Sequence, residues 1–362
     1  MLKKFNEQKL WWKPNLNFNK IIKNAKITIK NNHITFSKNC IFLENFLKKK
    51  LKVKHIVLCN SGTSALFMAT LVAKIHKKKK IFSPAITWPG TINGALYANK
   101  KIKLIDSRKK EINANYNSIL NKINRNDLLF ITHMNGKSAY DRDLFYKLKK
   151  KKIFIIEDAA QSFLVKDFKN SYLGTSFDIG CFSLGITKMC NMVYGGFCAT
   201  NNDKIYSDLK RIRNNGVDNE YQITTSPGGN FKPNDLNASV GMYSLKNCET
   251  NIKNLIKVYE TYDKNLKNNK LELINFDIKN GDIPLYIEIL TNNRKKLIQY
   301  LKKNKIGYSY STRTLSISPH IKKGNRCKNA EEIDQKLLRL PSGPGYPLNE
   351  IKLIINKLNK FS

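Results

Sequence analysis

Residues 55–75 read "HIVLCNSGTSALFMATLVAKI", and this stretch decides the fold class. The apolar run at 55–59 predicts a buried strand, and the stretch from Ser61 onward predicts a helix. Helical patterns, one of them at about 91–99, separate further predicted strands at 80–86, 101–106, 128–132 and 152–158. This alternation predicts an α/β fold with a large, mostly parallel sheet that is flanked by helices on both faces.

The texture of the sequence changes at about residue 245, where a long helix rich in lysine and asparagine begins. A strand at 282–290, a helix and a strand at 308–314 follow it and predict a smaller α/β unit. We therefore predict a large domain over 1–245 and a small C-terminal domain over 246–362. The N-terminal segment, about 1–35, is expected to pack on the small domain.

The formal net charge of +38 is the main compositional anomaly. Such a charge is typical of proteins that bind nucleic acid. Here, however, lysine, asparagine and isoleucine are enriched together along the whole chain, as an AT-rich gene would produce. Lysine runs such as 77–80 and 149–152 fall where predicted helices end, which are ordinary solvated positions. We expect no nucleic-acid partner, and a basic nucleic-acid-binding protein on a non-catalytic fold is the alternative from a different class.

The cysteines and the apolar stretches indicate in which cellular compartment the protein is expected. The seven cysteines form no Cys-x-x-Cys pair and no metal-site spacing, and most lie in apolar contexts, which predicts buried, reduced thiols and no metal site. No apolar, uncharged stretch approaches the roughly 18 residues of a membrane span. The first residues lack the apolar core of a signal peptide. We expect a cytoplasmic protein without a membrane partner.

Small and acidic residues follow two of the predicted strands, at the edge where open α/β sheets bind ligands. Residues 61–64 read "SGTS" and join a strand to a helix, so free backbone N–H groups there suit a phosphate. An ordinary helix cap explains the same residues. Glu157 and Asp158 end a buried strand, where carboxylates are costly unless they are paired. A pair of acids at a helix start is the alternative, and it fits Glu157 equally well, but a buried Asp158 would also hold a proton on a ring nitrogen.

Trp88 and Lys188 are the other two candidates. Trp88, in "PAITWPG", suits either the core or a platform on which a planar ligand stacks. Lys188 is the one charged residue in 179–202. Apolar surroundings favour the neutral, nucleophilic amine that a Schiff base requires, although a loop lysine can also reach solvent. Pyridoxal 5′-phosphate has a phosphate, an aromatic ring, a ring nitrogen and an aldehyde, so it matches all four features.

The order of these motifs resembles the DegT/DnrJ/EryC1/StrS family of sugar aminotransferases, which are fold-type-I enzymes that depend on pyridoxal phosphate. The resemblance runs through nearly the whole chain, and "EDAAQS" followed by Lys188 is its most specific part. The matching stretches include "SGTSAL" (61–66), "PAITWPGTINGALY" (84–97), "IEDAAQS" (156–162), "CFSLGITK" (181–188), "GGNFKPNDLNASVGMYSL" (228–245) and "LRLPSGPGYPL" (338–348).

The resemblance implies a role for each matching residue. Lys188 would form the internal aldimine and shuttle the proton, and Asp158 would pair with the pyridinium nitrogen. The remaining cofactor contacts would be Gln161 to the ring hydroxyl, Trp88 stacked on the ring, and Gly62, Thr63 and Ser183 on the phosphate. The resemblance also implies a homodimer with shared active sites, in which Asn230 reaches the phosphate of the other subunit.

The implied activity is transfer of an amino group from an amino acid to a nucleotide-linked keto-sugar in amino-sugar or surface-polysaccharide biosynthesis. Glutamate is the expected amino donor. Amination of a cyclitol or another ring ketone is the alternative. The chain departs from the family at Val193 and Tyr194, and at Lys232, which replaces an arginine and loses its bidentate fork. Lys232, His320 and Tyr194 are the candidates for contacting the substrate.

Overall fold

The computed structural model describes residues 10–32, 34–218, 220–321 and 326–362. Its helices are α1 (Phe18–Lys30), α2 (Lys38–Leu51), α3 (Gly62–Val72), α4 (Gly90–Tyr97), α5 (Arg142–Lys150), α6 (Asp203–Arg213), α7 (Asp235–Lys246), α8 (Cys248–Asn265), α9 (Arg294–Lys303), α10 (Lys328–Lys336) and α11 (Leu348–Leu358). Its strands are β1 (His55–Cys59), β2 (Ile81–Pro84), β3 (Ile102–Ile105), β4 (Leu128–Thr132), β5 (Phe154–Asp158), β6 (Ile179–Ser183), β7 (Gly196–Thr200), β8 (Glu272–Leu273), β9 (Ile287–Leu290), β10 (Ser309–Tyr310) and β11 (Leu337–Leu340).

Seven strands form the large sheet, in the order β1-β7-β6-β5-β4-β2-β3. Strand β7 runs antiparallel to both of its neighbours, and the other pairs in the sheet are parallel. The predicted mostly parallel sheet is confirmed, and the five predicted strands lie where the sheet has β1 to β5. The apolar patterns do not predict β6 and β7, which flank the stretch that carries Lys188.

Strand β4 shows why the sheet lies in the middle of the molecule. All five of its residues are buried. Because side chains alternate between the two faces of a strand, Leu128 and Phe130 belong to one apolar cluster and Leu129 and Ile131 to the other. A continuous apolar run is therefore stable only with helices packed on both faces.

A second sheet of four strands has the order β10-β11-β9-β8, and all of its pairs are antiparallel. Helix α9 joins β9 to β10, and β11 lies between these two strands. The β-α-β pattern expected from the sequence is therefore present, but it is split by a strand that comes later in the chain. Helices α8 and α11 share an apolar cluster with this sheet. The domain boundary at 245/246 stays a prediction.

The first described residues connect the two sheets. The backbone N–H of Lys13 donates to the carbonyl of Ser342 at 3.0 Å. Trp12 is buried, and its Nε1 donates to the carbonyl of Ile186 at 3.1 Å. These residues therefore contact both the C-terminal part of the chain and the loop that carries Lys188. Residues 1–9 of the predicted N-terminal segment lie outside the described residues. Within the described part of the chain, no helix has both the length and the apolar character needed to span a membrane.

Candidate active site

The candidate site lies at the carboxyl edge of the large sheet. Thr132 and Asp158 are register partners at the ends of parallel strands β4 and β5, and β6 continues beside them. Antiparallel β7 starts at this edge, and Gly196 is the register partner of both Cys59 and Ser183. Parallel strands thus bring together turns that are far apart in the sequence, as expected for an open α/β sheet.

The turn at the start of α3 packs tightly on the end of β6. A Cβ atom built on Gly62 would lie 2.7 Å from the Cβ of Ser183, so the close approach requires glycine. Ser61 caps the helix, and its Oγ accepts from the N–H of Ser64 at 3.0 Å. Thr63 is exposed in the same first turn. The helix cap and a phosphate site are therefore compatible, since the first backbone N–H groups of a helix have no partner within the helix.

Asp158 is a buried carboxylate that is oriented by two donors. Thr91 donates to its Oδ2 at 2.6 Å, and the backbone N–H of Ala160 donates to its Oδ1 at 3.1 Å. Burial raises the pKa of Asp158, and these hydrogen bonds together with the charges of Lys188 and His133 offset only part of that rise. A cation placed against this carboxylate would compensate for the lost hydration. Sequence reasoning missed Thr91, since one hydroxyl in a helix carries no signal of its own.

Glu157 has a structural role, although it is adjacent to Asp158 in the sequence. Its carboxylate accepts hydrogen bonds from three backbone N–H groups of residues 174–177 at 2.9 to 3.1 Å. The Nε2 atom of His133 lies 3.2 Å from its Oε1. Because neighbouring side chains of a strand point to opposite faces, one acid anchors a loop and the other faces the site.

Lys188 lies in the loop after β6 and is partly buried. Its Nζ donates to the hydroxyl of Tyr286 at 3.2 Å, across 98 residues of sequence. The positive charge of Lys188 offsets part of the rise that burial causes in the pKa of Asp158. The sequence does not single out Tyr286, which comes just before β9.

Gln161 is buried, and its Oε1 accepts from the backbone N–H of Asn135 at 3.0 Å. With the oxygen engaged in this way, the NH₂ group is the end that can donate to a ligand hydroxyl. Asn135 also donates from Nδ2 to the carbonyl of Tyr286 at 3.0 Å. Gln161 is therefore connected through a single residue to the aromatic ring that contacts Lys188.

The remaining predicted residues are exposed in the single chain. Trp88 is 61% exposed between β2 and α4, and Tyr194 is 71% exposed. The carbonyl of Asn230 accepts from Nδ2 of Asn60 at 3.3 Å, which places residue 230 beside the turn that precedes α3. Lys232, whose Nζ donates to Oδ1 of Asn214 at 2.9 Å, and exposed His320 stay predictions as substrate contacts.

A lysine, a buried carboxylate and a glycine-containing helix start at one edge of a mostly parallel sheet are typical of fold-type-I transferases, a class of enzymes that use pyridoxal phosphate. The DegT/DnrJ/EryC1/StrS aminotransferase family model matches residues 17–359. The chain belongs to this family and has the fold of its sugar aminotransferases.

Individual known proteins are similar to this chain over most of their own length and of its length. The chain is 24% identical to GDP-perosamine synthase of Escherichia coli O157:H7, over 88% of each chain. It is 26% identical to dTDP-4-amino-4,6-dideoxy-D-glucose transaminase of Shigella dysenteriae, over 88% of this chain and 89% of the relative. The PLP form of the putative sugar aminotransferase Spr1654 of Streptococcus pneumoniae superposes with a TM-score of 0.87, covering 96% of this chain and 97% of that one, at 17% identity.

Proposed function

We propose that this aminotransferase binds pyridoxal 5′-phosphate and moves an amino group from an amino acid, glutamate by preference, to a nucleotide-linked keto-sugar. The observation that carries the proposal is that the carboxyl edge of the large sheet brings together the buried Asp158 carboxylate, the loop with Lys188 and the Gly62 turn. When bound, the cofactor supplies a carbonyl that exchanges amines and a ring that accepts electrons.

The residues present fit this cofactor. Gly62 and Thr63 at the start of α3 and Ser183 at the end of β6 would hold the phosphate through backbone N–H groups and hydroxyls. Asp158 would hold a proton on the ring nitrogen, and the compensating positive charge would offset the cost of burying the carboxylate. These two anchors would fix both ends of the molecule, and Gln161 would donate to its hydroxyl. Trp88 would cover the ring.

Lys188 would accept and return the proton that is transferred at this site. Its Nζ can take a proton as a free amine and return it as an ammonium, which is general acid–base catalysis by one positioned group. Because its side chain is partly buried, bulk water has limited access to the amine. Lys188, rather than bulk water, would therefore move the proton between the donor and acceptor carbons.

A nucleotide-linked sugar is the proposed acceptor for two reasons. The names of two relatives state that they act in the chemistry of GDP- and dTDP-linked amino sugars. A nucleotide diphosphate is also a multiply charged anion, which the net charge of +38 would attract. Lys232, His320 and Tyr194 are the proposed contacts on the acceptor side.

We also propose a cytoplasmic location, because all seven cysteines are buried and free, as is usual in a reducing compartment.

The substrate is tested with protein loaded with pyridoxamine phosphate and a panel of nucleotide keto-sugars, with a cyclitol ketone in parallel. We expect one or more nucleotide keto-sugars to restore the visible absorption of the pyridoxal form, with an amino sugar as the product by mass spectrometry. Rapid conversion of the cyclitol ketone alone would replace the nucleotide sugar by the alternative substrate. A protein that takes up no cofactor and instead binds DNA with a steep salt dependence would refute the enzymatic proposal.

We further propose that the active unit is a homodimer with shared sites. Helix α1 exposes four large apolar side chains, Phe18, Ile22, Ile27 and Ile29, each of them 50% exposed or more. An exposed apolar surface of this kind supports a protein partner, and a second copy of the chain is the simplest one. In that dimer Asn230, which is exposed here, would contact the phosphate held by the other subunit.

Subunit mixing tests the shared site. Lys188→Ala chains and Asn230→Ala chains, each inactive as homodimers, are mixed under conditions of proven exchange. A mixed dimer places both lesions in one site and leaves the other intact, so about half of the wild-type activity per mixed dimer should return. Because Asn230 also lies beside Asn60 of its own chain, a site built within one chain would give no recovery. An active monomer in sedimentation would likewise contradict the shared site.

A further inference from the structure

The hydroxyl of Tyr286 contacts the amine on which the proposed function depends. It accepts from Nζ of Lys188 at 3.2 Å and donates to the backbone carbonyl of Thr187 at 3.2 Å. The ring is buried, so the hydroxyl has little freedom to turn away from either partner. The second hydrogen bond orients the phenol oxygen so that a lone pair faces the amine.

The backbone of Tyr286 is held as firmly as its hydroxyl. The side-chain amide of Asn135 accepts from the N–H of Tyr286 at 2.7 Å and donates to its carbonyl at 3.0 Å. Asn135 has φ of +50°, a left-handed conformation that asparagine tolerates better than most residues. The ring of Trp12 packs edge-on against the tyrosine, with centroids 5.4 Å apart. Tyr286 is therefore placed by neighbours that do not depend on Lys188.

Two cations contact Tyr286: Lys188, in the loop after β6, and Arg339, on β11. The guanidinium of Arg339, on β11, lies 4.0 Å from the ring centroid, and its Nε donates to Oε1 of Glu288 at 2.9 Å. Lys188 faces the hydroxyl. Burial raises the pKa of Tyr286, but the charges of Lys188 and Arg339 and its hydrogen bonds outweigh burial and leave the pKa below its ordinary value. The phenol O–H is thus a better hydrogen-bond donor to the carbonyl of Thr187 than that of an isolated buried tyrosine would be, and this bond fixes the oxygen toward Lys188.

We infer that Tyr286 is the positioning residue of Lys188, whose ammonium it holds by a hydrogen bond. The inference rests on the proposed function, because it concerns the reactivity of the same amine. Removal of the hydroxyl has two consequences. The amine loses its fixed position, and its charged form loses a hydrogen bond while the positive charge of Arg339 stays close.

The test is Tyr286→Phe, which keeps the ring and its contacts with Trp12 and Arg339. Cofactor-free protein is mixed with pyridoxal phosphate across a range of pH, attachment at Lys188 is trapped with borohydride, and its rate is measured by mass spectrometry. We expect the plateau rate at high pH to fall roughly tenfold to a hundredfold through lost positioning. The midpoint of the pH profile should fall by about one unit, the size expected for one lost hydrogen bond to a charged group.

Tyr262→Phe is the matched control. Tyr262 is also buried, and its hydroxyl donates to the carbonyl of Pro341 at 3.0 Å in the core of the second sheet. This control loses a buried hydrogen bond without altering Lys188, so its plateau and midpoint should equal those of the wild type. A Tyr286→Phe profile that also matches the wild type would overturn the inference. Wild-type protein that never attaches the cofactor at Lys188 would instead overturn the proposed function, so the two failures are distinguishable.

Discussion

Replacing Lys188 with alanine is expected to abolish amino-group transfer, with turnover on glutamate lower by roughly four orders of magnitude or more. The variant lacks both the nucleophilic amine and the group that moves the proton. Lys188→Arg should fail as well, because a guanidinium stays protonated at neutral pH. Turnover is measured with glutamate and the accepted keto-sugar, and covalent attachment by mass spectrometry after borohydride reduction.

Lys149→Ala is the control for this prediction. Lys149 is exposed, but desolvation lowers the pKa of its amine. Its Nζ lies 4.6 Å from the ring centroid of Phe177, at the opposite edge of the large sheet. The control should keep wild-type turnover. Near wild-type turnover in Lys188→Ala would remove the lysine from the chemistry and leave its isolation in the sequence unexplained.

The second large effect is expected for Asp158→Asn. A neutral amide cannot pair with a protonated ring nitrogen, so the barrier should rise by about 3–5 kcal/mol, the cost of removing one partner from a buried charge pair. This corresponds to a loss of roughly two to four orders of magnitude in turnover. Thr91 and Ala160 remain to orient the amide, so the fold should survive. Unchanged kinetics would contradict the role of Asp158 at the ring nitrogen.

Cofactor-free protein gives a second readout for Asp158→Asn. Burial raises the pKa of Asp158 in the folded chain, so the folded state binds more protons than the unfolded state at mildly acidic pH. The contribution of this carboxyl to stability therefore falls as the pH rises through that range. The amide does not titrate, so the variant should gain melting temperature relative to wild type between acidic and neutral pH. A constant difference across this range would contradict the burial cost.

Asp178→Asn is the matched control for both measurements. Burial also raises the pKa of Asp178, whose Oδ2 accepts from the N–H of Ile155 at 2.8 Å. It lies at the amino edge of β5 and β6, away from Lys188. This variant should show a related pH dependence of melting but keep its turnover, which separates the cost of a buried carboxyl from its use in catalysis.

Much of the large sheet was predictable from the sequence, because its signals are local. A run such as "LLFIT" is apolar on both faces, and only a central strand between two layers of helices buries such a run. The strand–turn–helix over 55–75 likewise carries its small residues where the backbone has to come close to Ser183. The linear sequence also shows that Lys188 is isolated among uncharged residues and that an apolar stretch ends in Asp158. Together with the order of the motifs, these features predict the family.

The tertiary structure alone decided which side chains meet. Lys188 contacts Tyr286 across 98 residues, and Thr91 contacts Asp158 across 67. Pairs this distant depend on strand register and on how the second sheet packs against the first, neither of which a hydrophobic pattern encodes. The same holds for the role of Glu157, which the sequence leaves open. The alternation of a strand turns one carboxylate toward a loop and the other toward the site, and only the sheet shows which face is which.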